Sequence, residues 1–355
     1  MSPGFLITPR LRVGLHSVAP LALFADVSQL QQNKVMAKKT ASIDVEGHAI
    51  SLSNLDKLIF PDFNKAQVID YYIHIADYLL PHVKNRPVTL KRFPDGVSGK
   101  FFYEKDAPRF TPDWVETFPV PRRTGQGGEI RYILINNLAT LVWLATLANL
   151  EIHPFLHRVP HIDRPTSVVF DLDPGEGADI LTCCRVAMIA HETLKQMGLQ
   201  SFVKVSGSKG LQLYAPLNTT TNYAKTATFA KTLAELLEQQ HPALIVSSMD
   251  KARRRHKVFI DWSQNSDFKT TVGVYSLRAK TEVPHVSLPV EWTDIQTALD
   301  AEDSKQLYFT PETALERLGK TGDLFHPILT LKQKLPSAIK TAPRQTRKAP
   351  RAARN

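Results

Sequence analysis

Between Lys65 and Val83 the apolar residues Val68, Ile69, Tyr72, Ile75, Ala76 and Leu79 fall three and four positions apart, and that spacing predicts an amphipathic helix. Before it, the alternation of apolar and polar residues from Ile43 to Leu52 predicts a hairpin. After it, Pro87 stops any helix, and Pro87 to Phe93 and Lys100 to Glu104 read as strands joined by a turn at Asp95-Gly96. Asn137 to Asn149 is apolar around its whole circumference and reads as a buried helix, with His153 following on a short strand.

A second unit follows the connection from Pro160 to Pro165. It opens with a strand from Ser167 to Asp173 and a helix from Ala178 to Met197. Strands then flank a Gly-rich turn, at Phe202 to Ser206 and Leu211 to Ala215. A helix from Tyr223 to Gln240 leads to strands near Leu244 to Met249 and Lys257 to Trp262. The elements alternate with no repeat period, which predicts an α/β (α+β) architecture with a mixed N-terminal module over 40–163 and a second module over 164–331.

Charge changes this picture only at the ends. The chain carries +10, but the stretch from Lys332 holds eight Lys or Arg and no acid, and residues 1–39 hold five basic residues against Asp26. With +8 at one end and +4 at the other, the body between is near −2. The 332–355 segment reads as a basic disordered tail that meets polyanions by displacing counterions. Residues 1–39 keep no period and read as an extension outside the fold, with Met36 as the expected start and a presequence as the competing explanation. Cys183 and Cys184 are the only cysteines, and adjacent cysteines seldom pair, which excludes a disulfide framework and a cysteine zinc site and favours a reducing interior. No apolar run approaches the ~20 residues of a membrane span.

The chemistry concentrates in Phe170-Asp171-Leu172-Asp173-Pro174-Gly175-Glu176-Gly177, at the end of an apolar strand. Side chains alternate along a strand, so Asp171 and Asp173 share one face. Their mutual repulsion is relieved by divalent cations, although a lone Asp-x-Asp is equally a pair of solvated turn acids. Pro174 and Gly175 end the strand and suggest a sheet edge open to substrate. Asp261 ends another apolar strand behind the basic run Arg253, Arg254, Arg255 and Lys257; a third carboxylate permits a two-metal site, and an acid paired with arginine is the alternative. Ser206-Gly207-Ser208-Lys209-Gly210 can wrap phosphate oxygens with amides, hydroxyls and a lysine, though a plain hairpin turn is the better local reading. Gln264, Lys269 and Arg278 add donors suited to a triphosphate. Phe101 and Phe102 offer a base-stacking platform near Lys91 and Arg92, with at least one of the two rings expected in the core.

Taken together, Leu55-Asp56-Lys57, Arg86 to Pro94, Phe101-Phe102, Leu150-Glu151-Ile152-His153, Phe170 to Gly177, Ser206 to Gly210, Lys257 to Asn265 and Tyr275-Ser276-Leu277-Arg278 resemble the polymerase domain of bacterial DNA ligase D. That domain is a member of the archaeo-eukaryotic primase superfamily, and the likeness spans Ser51 to Phe325. The resemblance implies a primase-type core and template-directed nucleotide addition at DNA ends or gaps in double-strand break repair by end joining. It implies two divalent ions, Mn2+ or Mg2+, at the catalytic Asp171, Asp173 and Asp261. It assigns the incoming nucleotide to His153, Ser206, Lys209, Gln264 and Arg278, with Gln212 beside them. DNA falls to Lys91, Phe101, Phe102 and Arg254, and a 5′-phosphate beyond a gap to Asn54, Lys57 and Lys65. The partners implied are gapped DNA, nucleoside triphosphates, and separate Ku-like end-binding and ligase proteins at the nucleoid in the cytoplasm.

Gln212 departs from the family, which commonly has His after the phosphate loop; an amide donates a hydrogen bond but carries neither proton nor charge. The chain has no Lys-x-Asp-Gly ligase nucleophile. De novo priming would use the same three carboxylates. A metal-dependent glycosyltransferase also uses Asp-x-Asp, but would not need the phosphate loop, Asp261 and the basic run together. An inactive end-bridging module is the alternative of another class, and retention of all three aspartates argues against it.

Overall fold

In a computed structural model of the chain, which describes residues 41–123 and 127–337, the predicted hairpin is β1 (Ala41–Val45) and β2 (His48–Leu52). A small ladder of β3 (Leu58–Phe60) and β4 (Phe63–Asn64) leads into helix α1 (Lys65–Val83). Asn64 starts that helix, because its side chain accepts from the Gln67 amide while the Gln67 side chain accepts from the Asn64 amide. The six predicted apolar positions of α1 are all buried. Tyr71 and Tyr72, also buried, reach further: their hydroxyls donate to the carbonyls of Tyr275 (2.7 Å) and Leu150 (2.5 Å).

The first sheet contains β5 (Pro87–Arg92), β6 (Phe102–Glu104), β7 (Thr117–Pro121), β8 (Glu129–Leu134) and, beyond the buried helix α2 (Leu138–Thr146), β9 (Asn149–Pro154). Both β6 and β9 pair antiparallel with β5, setting Lys91 opposite Tyr103 on one side and opposite Glu151 on the other. The β7–β8 hairpin has no signal in the sequence, because much of it is exposed and it carries Pro119 and Pro121. The supposed connection before Ser167 holds a short ladder, β10 (His157–Arg158) with β11 (His161–Pro165).

The second sheet runs in the order β15-β16-β12-β14-β13-β19, from β12 (Ser167–Pro174), β13 (Phe202–Val205), β14 (Leu211–Pro216), β15 (Ile245–Val246), β16 (Val258–Asp261) and β19 (Pro289–Val290). Only the β15–β16 pair is parallel. Helices α3 (Ile180–Gln196) and α4 (Tyr223–Gln240) both pack on β12, with α3 delivering Cys183, Cys184, Val186, Ala187, Ala190 and Leu194 to the core. A two-strand ladder of β17 (Leu277–Arg278) and β18 (His285–Val286), then α5 (Trp292–Asp300) and α6 (Pro311–Thr321), complete the fold. One continuous apolar core joins both sheets, from Val45 to Ile328. Among the described residues, no helix is long and apolar enough to cross a membrane.

Two boundary expectations change. The carboxylate strand β12 lies inside its sheet, flanked by β16 and β14, so Asp171 and Asp173 stand near the end of a central strand and not at a sheet edge. The expected tail does not begin at 332: the Gln333 side chain donates to the carbonyls of Gln200 and Pro216, and its backbone carbonyl accepts from Thr219. Residues 1–40 and 338–355, on which the extension and the rest of the tail fall, lie outside the described residues.

Candidate active site

Cross-strand register builds the site. Asp171 of β12 lies opposite Asp261 of β16 and opposite Gln212 of β14, so three residues far apart in sequence form one row across the sheet. Asn265 locks this row: its side chain accepts from the Val169 amide (2.9 Å) and donates to the Val169 carbonyl (2.7 Å), as a neighbouring strand would. The turn after Asp261 is thereby tied to β12. Gly175 permits β12 to close on the basic run, since a Cβ there would stand 1.9 Å from the Arg254 carbonyl oxygen.

Asp171 and Gln212 of this row, but not the buried Asp261, border a cleft of about 700 Å3 together with His153, Asp173, Ser206, Lys209, Gln264 and Arg278. All of these were singled out from sequence. Tyr103, Lys105, Phe268 and Lys280 border it as well and were missed. Alternation gives the missing signal for two of them, since Tyr103 is two residues from Phe101 and Lys280 two from Arg278.

Burial pushes the Asp171 carboxyl above its ordinary range, and the charges of Asp173 and then Asp261 push the same way. Asp173 is raised by burial and by Asp261, with Arg254, Arg278 and Lys280 drawing it back. Gln212 donates to Asp171 Oδ1 at 3.2 Å, so the departing residue grips a carboxylate of the row. Asp261 is engaged differently: its Oδ1 accepts from the Ser263 hydroxyl (2.5 Å) and amide (3.0 Å), and its Oδ2 from the Gln264 side chain (3.0 Å). Lys269 approaches Asp261 Oδ2 to 3.8 Å. Among the described residues no three acid, imidazole or thiol groups are gathered closely enough to enclose an ion as they stand. The donor set nevertheless fits a divalent cation, because two carboxylates held at a cost to their ionised forms recover that cost beside a hard cation.

The Ser206 to Gly210 loop beside β12 is tied to itself: Ser206 Oγ accepts from the amides of Ser208 and Gly210, each at 3.3 Å. Gly207 has φ +68°, and the Arg278 side chain runs across its face. Gln212 Oε1, Gln264 Oε1 and Arg278 Nε are buried with no protein partner, and all three residues border the cleft. His153 is hydrogen-bonded to Glu151 at 2.9 Å; burial holds its imidazole below the usual value although Glu151 pulls it upward.

The DNA-side residues divide. Phe101 and Phe102 are 50% and 42% exposed, so neither ring is core. Phe101 lies over the Lys91 ammonium and Phe102 over the Arg92 guanidinium, which makes two hydrogen bonds to Glu104. Lys91 itself is only 2% exposed, boxed by Phe93, Phe101 and Tyr103 and ion-paired with Glu151 (3.4 Å). A charge so enclosed does not reach a DNA phosphate, which corrects its expected role. Lys57 and Lys65 are brought together, the Lys65 amide donating to the Lys57 carbonyl, and Asn54 accepts from the Lys57 amide. Lys57 is partly exposed and pairs loosely with Asp95, whereas Lys65 is buried with its ammonium on the Ser53 carbonyl (2.7 Å). Arg254 stacks on Phe259 and donates to the Met249 carbonyl, close enough to Asp173 to lower its carboxyl. Arg86 is a strut, donating to the carbonyls of His82, Phe155, Leu156 and His157 and to Thr166.

The family described as LigD, primase-polymerase domain, matches residues 64–325. The chain belongs to the LigD primase-polymerase family. Among LigD relatives, the multifunctional non-homologous end joining protein LigD of Mycolicibacterium smegmatis is 37% identical over 283 residues, covering 79% of this chain and 36% of that protein. The bifunctional non-homologous end joining protein LigD of Bacillus subtilis is 33% identical over 277 residues, 77% of this chain and 43% of that protein. The chain therefore spans well under half the length of these LigD proteins. Among solved LigD structures, the polymerase domain from Mycobacterium tuberculosis ligase D in complex with DNA superposes with a TM-score of 0.73 at 35% identity, over 80% of this chain and 99% of that one.

Proposed function

We propose that the chain is a template-directed nucleotidyltransferase that adds nucleotides at DNA ends and gaps during double-strand break repair by end joining. The observation that carries this reading is the cleft shared by Asp171, Asp173, the Ser206 to Gly210 loop and Arg278, with Asp261 opposite Asp171 on the neighbouring strand. Asp171, Asp173 and Asp261 would hold manganese or magnesium. Two such ions, when bound, supply positive charge that activates the attacking oxygen and steadies the leaving group.

The chain's own groups perform the rest. Arg278 has an unpartnered Nε and Lys209 an exposed ammonium, both suited to a triphosphate. Lys105 and Lys280 extend the same positive wall. The exposed rings of Phe101 and Phe102 suit a template base, because stacking needs a free aromatic face. Lys57, exposed beside the start of α1, suits a 5′-phosphate across a gap, while Lys65, enclosed on the Ser53 carbonyl, holds the turn that presents it. DNA, nucleoside triphosphates and separate Ku-like and sealing proteins are the partners this reading calls for.

The test is extension of a primer on gapped DNA, with and without a downstream 5′-phosphate, in manganese and in magnesium. Templated addition is expected, abolished in Asp171→Ala and Asp173→Ala with DNA binding largely retained. Full activity in either variant would remove the reading.

A further inference from the structure

Glu151 has no place so far among the groups that meet DNA, nucleotide or metal, yet its carboxylate is 1% exposed and engages four partners. The two oxygens have different neighbours. Oε1 lies 3.4 Å from Lys91 Nζ and accepts from the Ala279 amide at 3.2 Å. Oε2 lies 2.9 Å from His153 Nε2 and 3.5 Å from an Arg278 guanidinium nitrogen.

Lys91 carries the connection outward. Its ammonium is 4.1 Å from the centre of the exposed Phe101 ring and 5.7 Å from Tyr103, which stands edge-on to His153 at 6.2 Å. A planar base laid on Phe101 therefore presses on a ring that rests on a buried cation and on the rings of Phe93 and Tyr103. Buried charges have few alternative partners, so a shift of one is passed to the next. Here the next group is a single carboxylate, and beyond it lie the His153 imidazole and the Arg278 guanidinium.

We propose that Glu151 is a positioning residue that couples template stacking at Phe101, through Lys91, to the grip of His153 and Arg278 on the incoming nucleotide. This rests on the cleft being a nucleotide site. Glu151 touches no substrate itself; it sets the places of groups that do.

The experiment measures KM and kcat for single-nucleotide addition on gapped DNA in the wild-type chain, Phe101→Ala, Glu151→Gln and the double variant. Glu151→Gln is expected to raise the nucleotide KM about tenfold, the order of one charge-assisted hydrogen bond, with kcat changed less than about threefold. Phe101→Ala should raise the nucleotide KM in the wild-type background and by a factor about threefold or more smaller in the Glu151→Gln background. Lys91→Gln leaves Glu151 its cleft partners and cuts only the outer link; it should shrink the Phe101→Ala effect in the same way, and it carries the test if Glu151→Gln fails to fold. Equal Phe101→Ala factors in every background, or an unchanged KM in Glu151→Gln, would reduce Glu151 to neutralising buried charge and overturn the coupling. A wild-type chain that extends no primer sinks the polymerase reading and this inference with it, whereas extension with independent effects sinks the coupling alone.

Discussion

Gly207→Ala tests whether the Ser206 to Gly210 loop is locked against Arg278. Gly207 has φ +68°, and an added Cβ would lie 2.6 Å from Arg278 Cγ and 3.0 Å from the carbonyl carbon and oxygen of Val286. The left-handed conformation costs a residue with a Cβ about 1–2 kcal/mol. Val286 is backbone paired with Leu277 in the β17–β18 ladder and yields little, so Arg278 must move. Overpacking of this kind costs about 1–3 kcal/mol more, for a total near 2–5 kcal/mol. Gly198→Ala is the control, because φ there is +78° with no atom within 4 Å, leaving only the conformational cost. Thermal melts and nucleotide titrations of both variants separate the terms. Gly207→Ala should melt lower than Gly198→Ala by about 2–4 °C per kcal/mol of added strain and should bind nucleotide about tenfold more weakly, with Gly198→Ala unchanged in binding. Equal melting temperatures and wild-type nucleotide affinity in Gly207→Ala would refute the locked loop.

Gapped DNA carrying a downstream 5′-phosphate should bind about tenfold more tightly than DNA lacking it, and Lys57→Ala with Lys65→Ala should erase that difference; a preference surviving in the double variant assigns the lysines to the fold alone. His157 is buried, and burial first, then Arg86, depresses its imidazole to about 3. The unfolded chain binds that proton near pH 6.5 and the folded chain does not, so stability present above pH 6.5 is lost as pH falls toward 3, by about 1.4 kcal/mol per unit. His157→Phe, stacked on Phe155, should flatten the fall in melting temperature over that window, and an unchanged slope in calorimetry would count against it. Gln212→His should lower the nucleotide KM below about pH 7, where imidazole carries charge, and change kcat less; identical KM values across that range would mean that Gln212 acts only on Asp171.

Local patterns fixed what depends on local period. Helix α1 runs over the predicted Lys65–Val83 because its apolar stripe and the Asn64–Gln67 capping box are written within some twenty consecutive residues. The shared face of Asp171 and Asp173 follows from strand alternation alone, and both carboxylates border the cleft. Long-range pairing decided the rest. Neither Asp171 nor Asp261 specifies by its neighbours in sequence that the two lie opposite each other; that depends on β16 pairing with β12, which Asn265 secures from across the chain. Lys91 and Lys65 read as exposed cations because charge favours water, and only tertiary packing supplied what encloses them: the aromatic box and Glu151 for one, the Ser53 carbonyl for the other. Phe101 and Phe102 read as half core because alternation was assumed to meet a buried face; both rings instead cover a cation on an open side of the sheet. Sequence thus determined where the helices run and which residues share a strand face, since those are properties of neighbours. Which of those residues face one another, and which charges are shut away from water, was settled only by how the strands pair and pack.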